Sequence, residues 1–236
     1  GLRKYVPQIM LDNGPRVVAG LKIAGCVGMV TSKNWAFRTA GWMFITGNAI
    51  MAAFGHKKTD EERSKLQAEE EARNGGKESH GFLRHMQKVV QPKKYPIESG
   101  MTIFTLGSVF WLLSGLTGNL KSKWQMAGGT LSLLSDANGA FNKENTDDAA
   151  ELASKTGLDR NITYFKHRPL LTSSILNIGA DSTTLAGGAY AFFKQKGEPN
   201  AMIAGGLMLL AGIGILWAAF TPIPDLNSFD SRKVAQ

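Results

Sequence analysis

The feature that most limits what this chain can fold into is the spacing of its charges. The 27 Lys/Arg and 19 Asp/Glu are not spread evenly along the 236 residues. Residues 56–98 alone carry ten Lys/Arg and eight Asp/Glu, and long stretches elsewhere carry almost none. Six such stretches stand out: Arg16–Thr31, Trp35–Phe54, Ser99–Gly118, Trp124–Phe141, Leu170–Phe193 and Asn200–Phe220. A run of about 20 predominantly apolar residues is the length a helix needs to cross the hydrocarbon of a bilayer. The expectation is therefore an all-α polytopic membrane protein with six transmembrane helices in a single membrane domain over residues 1–236. The rival is a soluble helical bundle, which has to explain why the third and sixth stretches are apolar on every face. The stretches differ in quality. The first is short and holds Lys22, the second carries Arg38 near its start, the fourth holds Asp136 and Asn138, and the fifth holds Asn177 and Asp181.

Proline placement supports continuous helices. Pro15, Pro96, Pro169, Pro199 and Pro222 sit at the ends of the stretches and none sits inside. An interior proline removes a backbone hydrogen bond and kinks the rod, and hydrocarbon supplies no substitute partner.

The chain also resembles itself. A shift of 87 residues places Gly20 on Gly107, Gly28 on Gly115, Ala40 on Ala127, Gly41 on Gly128 and Phe54 on Phe141, without a gap. A further shift of 72 places Gly107 on Gly179 and Gly115 on Gly187, and a shift of 77 places Ala127-Gly128-Gly129 on Ala204-Gly205-Gly206. The unit is a helical hairpin, predicted at 16–55, 99–142 and 170–220, with polar connectors at 56–98 and 143–169. Three hairpins returning to one side run parallel about a pseudo-threefold axis. Gly20, Gly28, Gly107, Gly115, Gly179 and Gly187 are expected to pack helices closely, because small residues let backbones approach where lipid gives no hydrophobic drive.

The repeat also aligns charges. Lys22 and Asp181 take the same place in the first and third hairpins, with Val109 between them in the second. They are read either as a pair that fixes helix register or as part of a gate, proton relay or solute site; Lys22 can alternatively snorkel to an interface. Asn48, Asp136 and Asn138 form a second polar set on the even helices, read as interfacial or capping groups or as a weak cation site.

Other chemistry is thin. The net charge of +8 favours an anionic membrane surface over nucleic acid, since the basic residues flank apolar runs. Cys26 is the only cysteine, which excludes an intrachain disulfide. No His-Glu-x-x-His, Gly-x-Ser-x-Gly or Walker pattern occurs, so no enzyme, cofactor or metal is expected. His56, His80, His85 and His167 all fall in connectors. Pro7, Asp12, Asn13 and Pro15 break any signal-peptide core near the start.

The connectors predict short helices of their own: a capped one from Thr59 to Arg73, a basic amphipathic one around Phe82–Val90, and one at Asp147–Gly157. With both termini on one side, that side carries 20 of the 27 Lys/Arg, which favours the cytoplasmic or equivalent face of a bacterial inner membrane or an organellar membrane. The expected function is a non-enzymatic integral membrane subunit of a larger assembly, in contact with the lipid bilayer and with other membrane subunits or copies of itself. A small-solute or ion transporter using the intramembrane polar residues is the alternative.

Overall fold

The computed structural model describes residues 20–54, 65, 68–69, 72, 86, 88–120, 122–141 and 148–220. The start of the first expected span, the tail, most of the first connector, and His56, His80 and His85 lie outside these residues. Among the described residues all regular structure is helical. Helix α1 contains residues 20–30. It is followed by α2 (Trp35–Phe54), α3 (Pro96–Ser114), α4 (Lys123–Phe141), the short α5 (Ala149–Ser154) and α6 (Gly157–Lys166), then α7 (Pro169–Gln195) and α8 (Asn200–Phe220). No helix among the described residues is long and apolar enough to cross a membrane.

Local sequence accounts for the helix ends. Pro96 and Pro169 start α3 and α7, where the missing N–H would have had no helical partner. Asn34 caps α2, its Oδ1 accepting from the Phe37 N–H at 3.0 Å. Lys196 adopts a left-handed conformation at the end of α7 and the Gly197 N–H returns to the Ala191 carbonyl at 3.0 Å, a Schellman-type stop. The third expected span, Ser99–Gly118, is displaced: α3 starts three residues earlier and ends at Ser114, and Gly118 sits in the turn at φ 54°. The apolar run continues through this turn, so composition alone overshoots the helix end.

The six long helices follow one another round a closed circuit. α1 meets α2 where a Cβ on Gly41 would lie 2.7 Å from the Met29 Cβ and 3.0 Å from the Cys26 carbonyl. Trp111 of α3 packs edge-on against Phe37 and Phe44 of α2, with centroids 6.4 and 5.9 Å apart. α3 and α4 touch backbone to backbone, because a Cβ on Gly129 would overlap the Leu112 backbone. α4 meets α7 at Gly128, opposite Thr184 and the Ala180 carbonyl. α7 meets α8 at Gly205, against Leu185 and the Asp181 carbonyl. α8 closes the circuit on α1, with Gly25 facing Met208 and Gly28 facing Ala204. Small residues at these crossings bring the axes together and let dispersion act along whole helix faces.

The interior is unusual in what it buries. A cluster of Met29, Phe37, Ala40, Trp111, Leu120, Ala180, Ala201, Ala204 and Met208 fills the turn end. Ser99, Ser108, Ser114, Gln125, Ser132, Ser135, Asp181 and Thr184 are also buried. Large apolar side chains point the other way: Ile23, Val27, Trp42, Leu106, Leu134, Ile175, Ile203, Leu210 and Ile213 are exposed.

Candidate functional site

Four sets of polar side chains join the long helices and their turns. At the turn end, the three hairpin turns bind one another. Asn34 Nδ2 donates to the Thr117 carbonyl at 2.7 Å. The Ser32 hydroxyl and the Lys33 N–H both donate to Glu198 Oε2, at 3.3 and 3.1 Å. Asn200 Nδ2 donates to Thr31 Oγ1 at 2.8 Å. The first turn thus grips the second through Asn34 and the third through Glu198 and Asn200. Sequence reasoning missed this clasp. The signal for Asn34 is an Asn immediately before an apolar helical run; Glu198 and Asn200 carry no local signal for a contact with the first turn.

The second set joins α3 and α4. The Ser108 hydroxyl donates to Asp136 Oδ2 at 2.7 Å and lies 2.7 Å from the Ser132 hydroxyl. Nearer the turn, the Trp111 indole N–H donates to Gln125 Oε1 at 3.1 Å. The third set joins α4 and α7. Asn138 Nδ2 donates to the Pro169 carbonyl and to Ser173 Oγ, at 2.8 and 2.9 Å, and Ser135 and Ser173 exchange hydroxyl-to-carbonyl bonds. Asp136 and Asn138 therefore turn to different neighbours. Asp136 reaches α3, and Asn138 reaches the start of α7. Asn48 donates back into its own helix, to the Phe44 carbonyl at 2.8 Å, and Asn177 is half-buried.

The fourth set is the pair singled out by the repeat. Asp181 is 6% exposed on α7, facing α8 where Gly212 leaves room: a Cβ there would sit 3.7 Å from Asp181 Oδ2. Lys22 of α1 lies within electrostatic reach of Asp181, with Cys26 beside them. No ion pair within 4.0 Å joins Lys22 and Asp181, and Asp181 accepts no hydrogen bond among the described residues. Val109, at the equivalent place in α3, is exposed. The second hairpin thus has no counterpart to this site, and the three aligned positions do not share a common orientation. Chemically, the carboxylate and the ammonium act on each other through space without forming a direct ion pair.

The aligned glycines are used unequally. Gly28, Gly107, Gly115 and Gly187 sit at helix crossings; Gly107 faces Phe44, and Gly115 lies against the Gln125–Met126 backbone. Gly179 has looser contact, 3.2 Å from a Cβ there to Leu131 Cδ1, and Gly20 borders open space among the described residues. Gly20 lies at the far end of α1 from the crossings with α2 and α8, so its small size brings no backbone closer.

At the connector end a clamp fixes α5 and α6 to the base of α7. Arg168 binds Asp148 in a fork, Nη1 to Oδ2 at 2.8 Å and Nη2 to Oδ1 at 3.0 Å. His167 Nδ1 lies 3.1 Å from the same carboxylate. The Arg168 hydrogen bonds hold the Asp148 carboxyl below its ordinary range, against the opposing effect of burial and with a smaller contribution from His167. The Arg168 guanidinium also stacks 3.9 Å from the Tyr164 ring centroid. Comparison of the chain with protein-family models, with curated proteins and with solved structures gives no match.

Proposed function

We propose that this chain is a non-enzymatic integral membrane subunit of a larger assembly, built from three helical hairpins. The observation that carries the reading is an interior that buries polar side chains beside its apolar cluster while many large apolar side chains face out. Serines, a threonine, a glutamine and an aspartate face the interior, and large apolar side chains face out on each of α1, α2, α3, α4, α7 and α8. Water penalises that arrangement by roughly 25 cal/mol for each Å² of apolar surface left exposed; hydrocarbon rewards it. A hydropathy average along a helix counts both faces alike, so inward Ser, Thr and Gly lower it even where the outer face is apolar. α8 carries no charged residue over its 21 residues.

Two further observations support the reading. Trp35, Trp124, Tyr190 and Phe193 are exposed near the turn end, with Lys33, Lys123, Lys194 and Lys196 beside them, as in the aromatic and basic belts of membrane interfaces. The hairpin repeat is supported by a common register. Carried back by the sequence offsets, Gly205 opposite Leu185 becomes Gly41 opposite Cys26, and a Cβ on Gly41 would lie 3.0 Å from the Cys26 carbonyl at the crossing of the first hairpin. On this reading both termini lie on the cytoplasmic or equivalent side, and the outer apolar faces meet lipid and neighbouring subunits.

The test has two stages. After alkaline carbonate extraction the protein should remain with the membrane pellet; recovery in the supernatant overturns the membrane reading. Purification in mild detergent should then give a stoichiometric complex, and a lone monomer overturns the subunit reading. A second reading, small-solute or ion transport, is favoured by Asp181, a buried carboxylate with no hydrogen bond among the described residues and Lys22 near it. Under that reading Lys22→Ala and Asp181→Ala abolish flux at unchanged protein level. A fall in folded protein alone makes the pair structural.

A further inference from the structure

The two connectors end alike, in a way the proposed subunit role does not require. In α6, Leu158 is 74% and Ile162 57% exposed, and Phe165 is also exposed. At 100° per residue these positions, four and seven apart, fall on one stripe. The buried residue of α6 is Thr163, whose hydroxyl accepts from Lys155 Nζ at 2.9 Å. α6 therefore presents a polar edge to the protein and leaves its apolar stripe uncovered. The same pattern precedes α3. Val90 is 70% exposed and Met86 is exposed beside it, joined by a helical bond from the Val90 N–H to the Met86 carbonyl at 3.2 Å. Met86 and Val90 stand 72 residues before Leu158 and Ile162, the same offset that superposes the first helices of the second and third hairpins. Each segment is tied to the base of its hairpin. Thr172 of α7 donates to the Phe165 carbonyl at 2.7 Å, and Ser99 of α3 donates to the Val89 carbonyl at 2.7 Å. Each also has a cation over an aromatic ring: Arg168 on Tyr164, and Lys88 on Tyr95 at 5.1 Å.

Height decides what covers these stripes. Thr172 fixes the level of Phe165 on α7, and Tyr190 marks the exposed aromatic level at the other end. The 18 residue steps from Thr172 to Tyr190 span about 27 Å at 1.5 Å per residue, close to the roughly 30 Å of bilayer hydrocarbon. We propose that α6 and the helical turn at residues 86–90 form a collar lying in the headgroup layer of the bilayer, with Leu158, Ile162, Phe165, Met86 and Val90 dipped into the acyl boundary. This rests on the membrane reading above and adds the depth and orientation of both connectors. The partner is phospholipid, and amphipathic helices in this position bind through buried apolar area.

The test uses the full chain with Cys26 replaced by alanine and a single cysteine at Ile162, Leu158 or Arg160, labelled with a polarity-sensitive fluorophore. Arg160 is exposed and lies 200° from Leu158 on α6, so it reports the opposite side. The protein is placed in vesicles of phosphatidylcholine and phosphatidylglycerol. Nitroxide lipids labelled near the headgroup should quench positions 158 and 162 at least threefold more than 160, and aqueous iodide should show the reverse order. Val90 against Lys93 should repeat the contrast. Equal iodide quenching at 160 and 162 overturns the collar, and so does shielding of 162 from both quenchers, which assigns the stripe to a protein partner. Carbonate extraction of the same preparation separates the two failures. Protein in the pellet with water-exposed labels sinks the collar alone, and protein in the supernatant sinks the membrane reading with it.

Discussion

Two adjacent glycines on α8 should respond to the same substitution with opposite sign. A Cβ on Gly205 would overlap the Leu185 backbone nitrogen, lie 2.8 Å from the Leu185 Cα and 3.0 Å from the Asp181 carbonyl oxygen. No rotamer change relieves a clash with backbone, so α7 and α8 must separate. A gap of 0.5–1 Å forfeits roughly a quarter to a half of the dispersion energy of each contact along the seam, and overpacking of this kind costs about 1–3 kcal/mol. A Cβ on Gly206 meets only Leu185 Cδ1 at 3.7 Å, an ordinary contact. Both substitutions to alanine gain up to about 1 kcal/mol of helix propensity. Gly206→Ala should therefore be neutral or stabilising and Gly205→Ala destabilising, with a gap of roughly 2 kcal/mol between them. Reversible unfolding in mixed micelles, followed by tryptophan fluorescence, measures the difference. Equal stability of the two variants, or a more stable Gly205→Ala, refutes backbone-to-backbone packing at this crossing.

Three further outcomes follow from the geometry. Trp111→Phe keeps the ring packing but strands the buried Gln125 amide, which should cost about 1–3 kcal/mol. Adding Gln125→Met should restore most of it in the same unfolding assay, and a neutral single variant removes the bond from the account. Asn34→Ala loses both the cap of α2 and the bond to the second turn. A loss of about 1–3 kcal/mol is expected, larger than for Thr39→Ala, whose hydroxyl bonds only within its own helix. The clamp at Asp148 should give a pH dependence. Its folded carboxyl titrates below the unfolded one because Arg168 binds it, so its contribution is complete above the ordinary aspartate range near 3.9 and is lost as pH falls through the lower folded value. Wild-type stability should fall over that acid window relative to Asp148→Asn, whose profile lacks the step. Parallel curves for the two proteins from pH 7 to 3 count against the clamp.

The sequence exposed the long helices because charge and proline mark their limits from outside. Trp35–Phe54 and Asn200–Phe220 fall where they were expected, since a polar turn and an apolar run meet sharply there. The end of α3 did not, because Leu116 keeps the run apolar past the last helical residue, Ser114, up to the left-handed Gly118. Pairing was harder to read than extent. Nothing in the local sequence says that Asp136 reaches α3 while Asn138, two residues on, reaches α7; that follows from which helices flank α4. Nothing local to Lys22 or Asp181 says that the two come within electrostatic reach; that follows from α8 lying against both α1 and α7. The clasp of turns was hidden for the same reason. Its members lie up to 169 residues apart in the chain, as with Thr31 and Asn200.

Closure of the circuit has a consequence for biosynthesis. α1 finds its outer neighbour only when α8 emerges, so it waits with Gly25 and Gly28 unmated while the helices between them are made. Until then the growing polypeptide is an open crescent whose two free flanks are complementary to each other and, equally, to the flanks of a second nascent copy. Exchange of α7 and α8 between two such crescents would keep their crossings with α4 and α1 and yield an intertwined dimer. The length of time the amino-terminal rod stays unmated therefore sets the chance that the ring seals on itself.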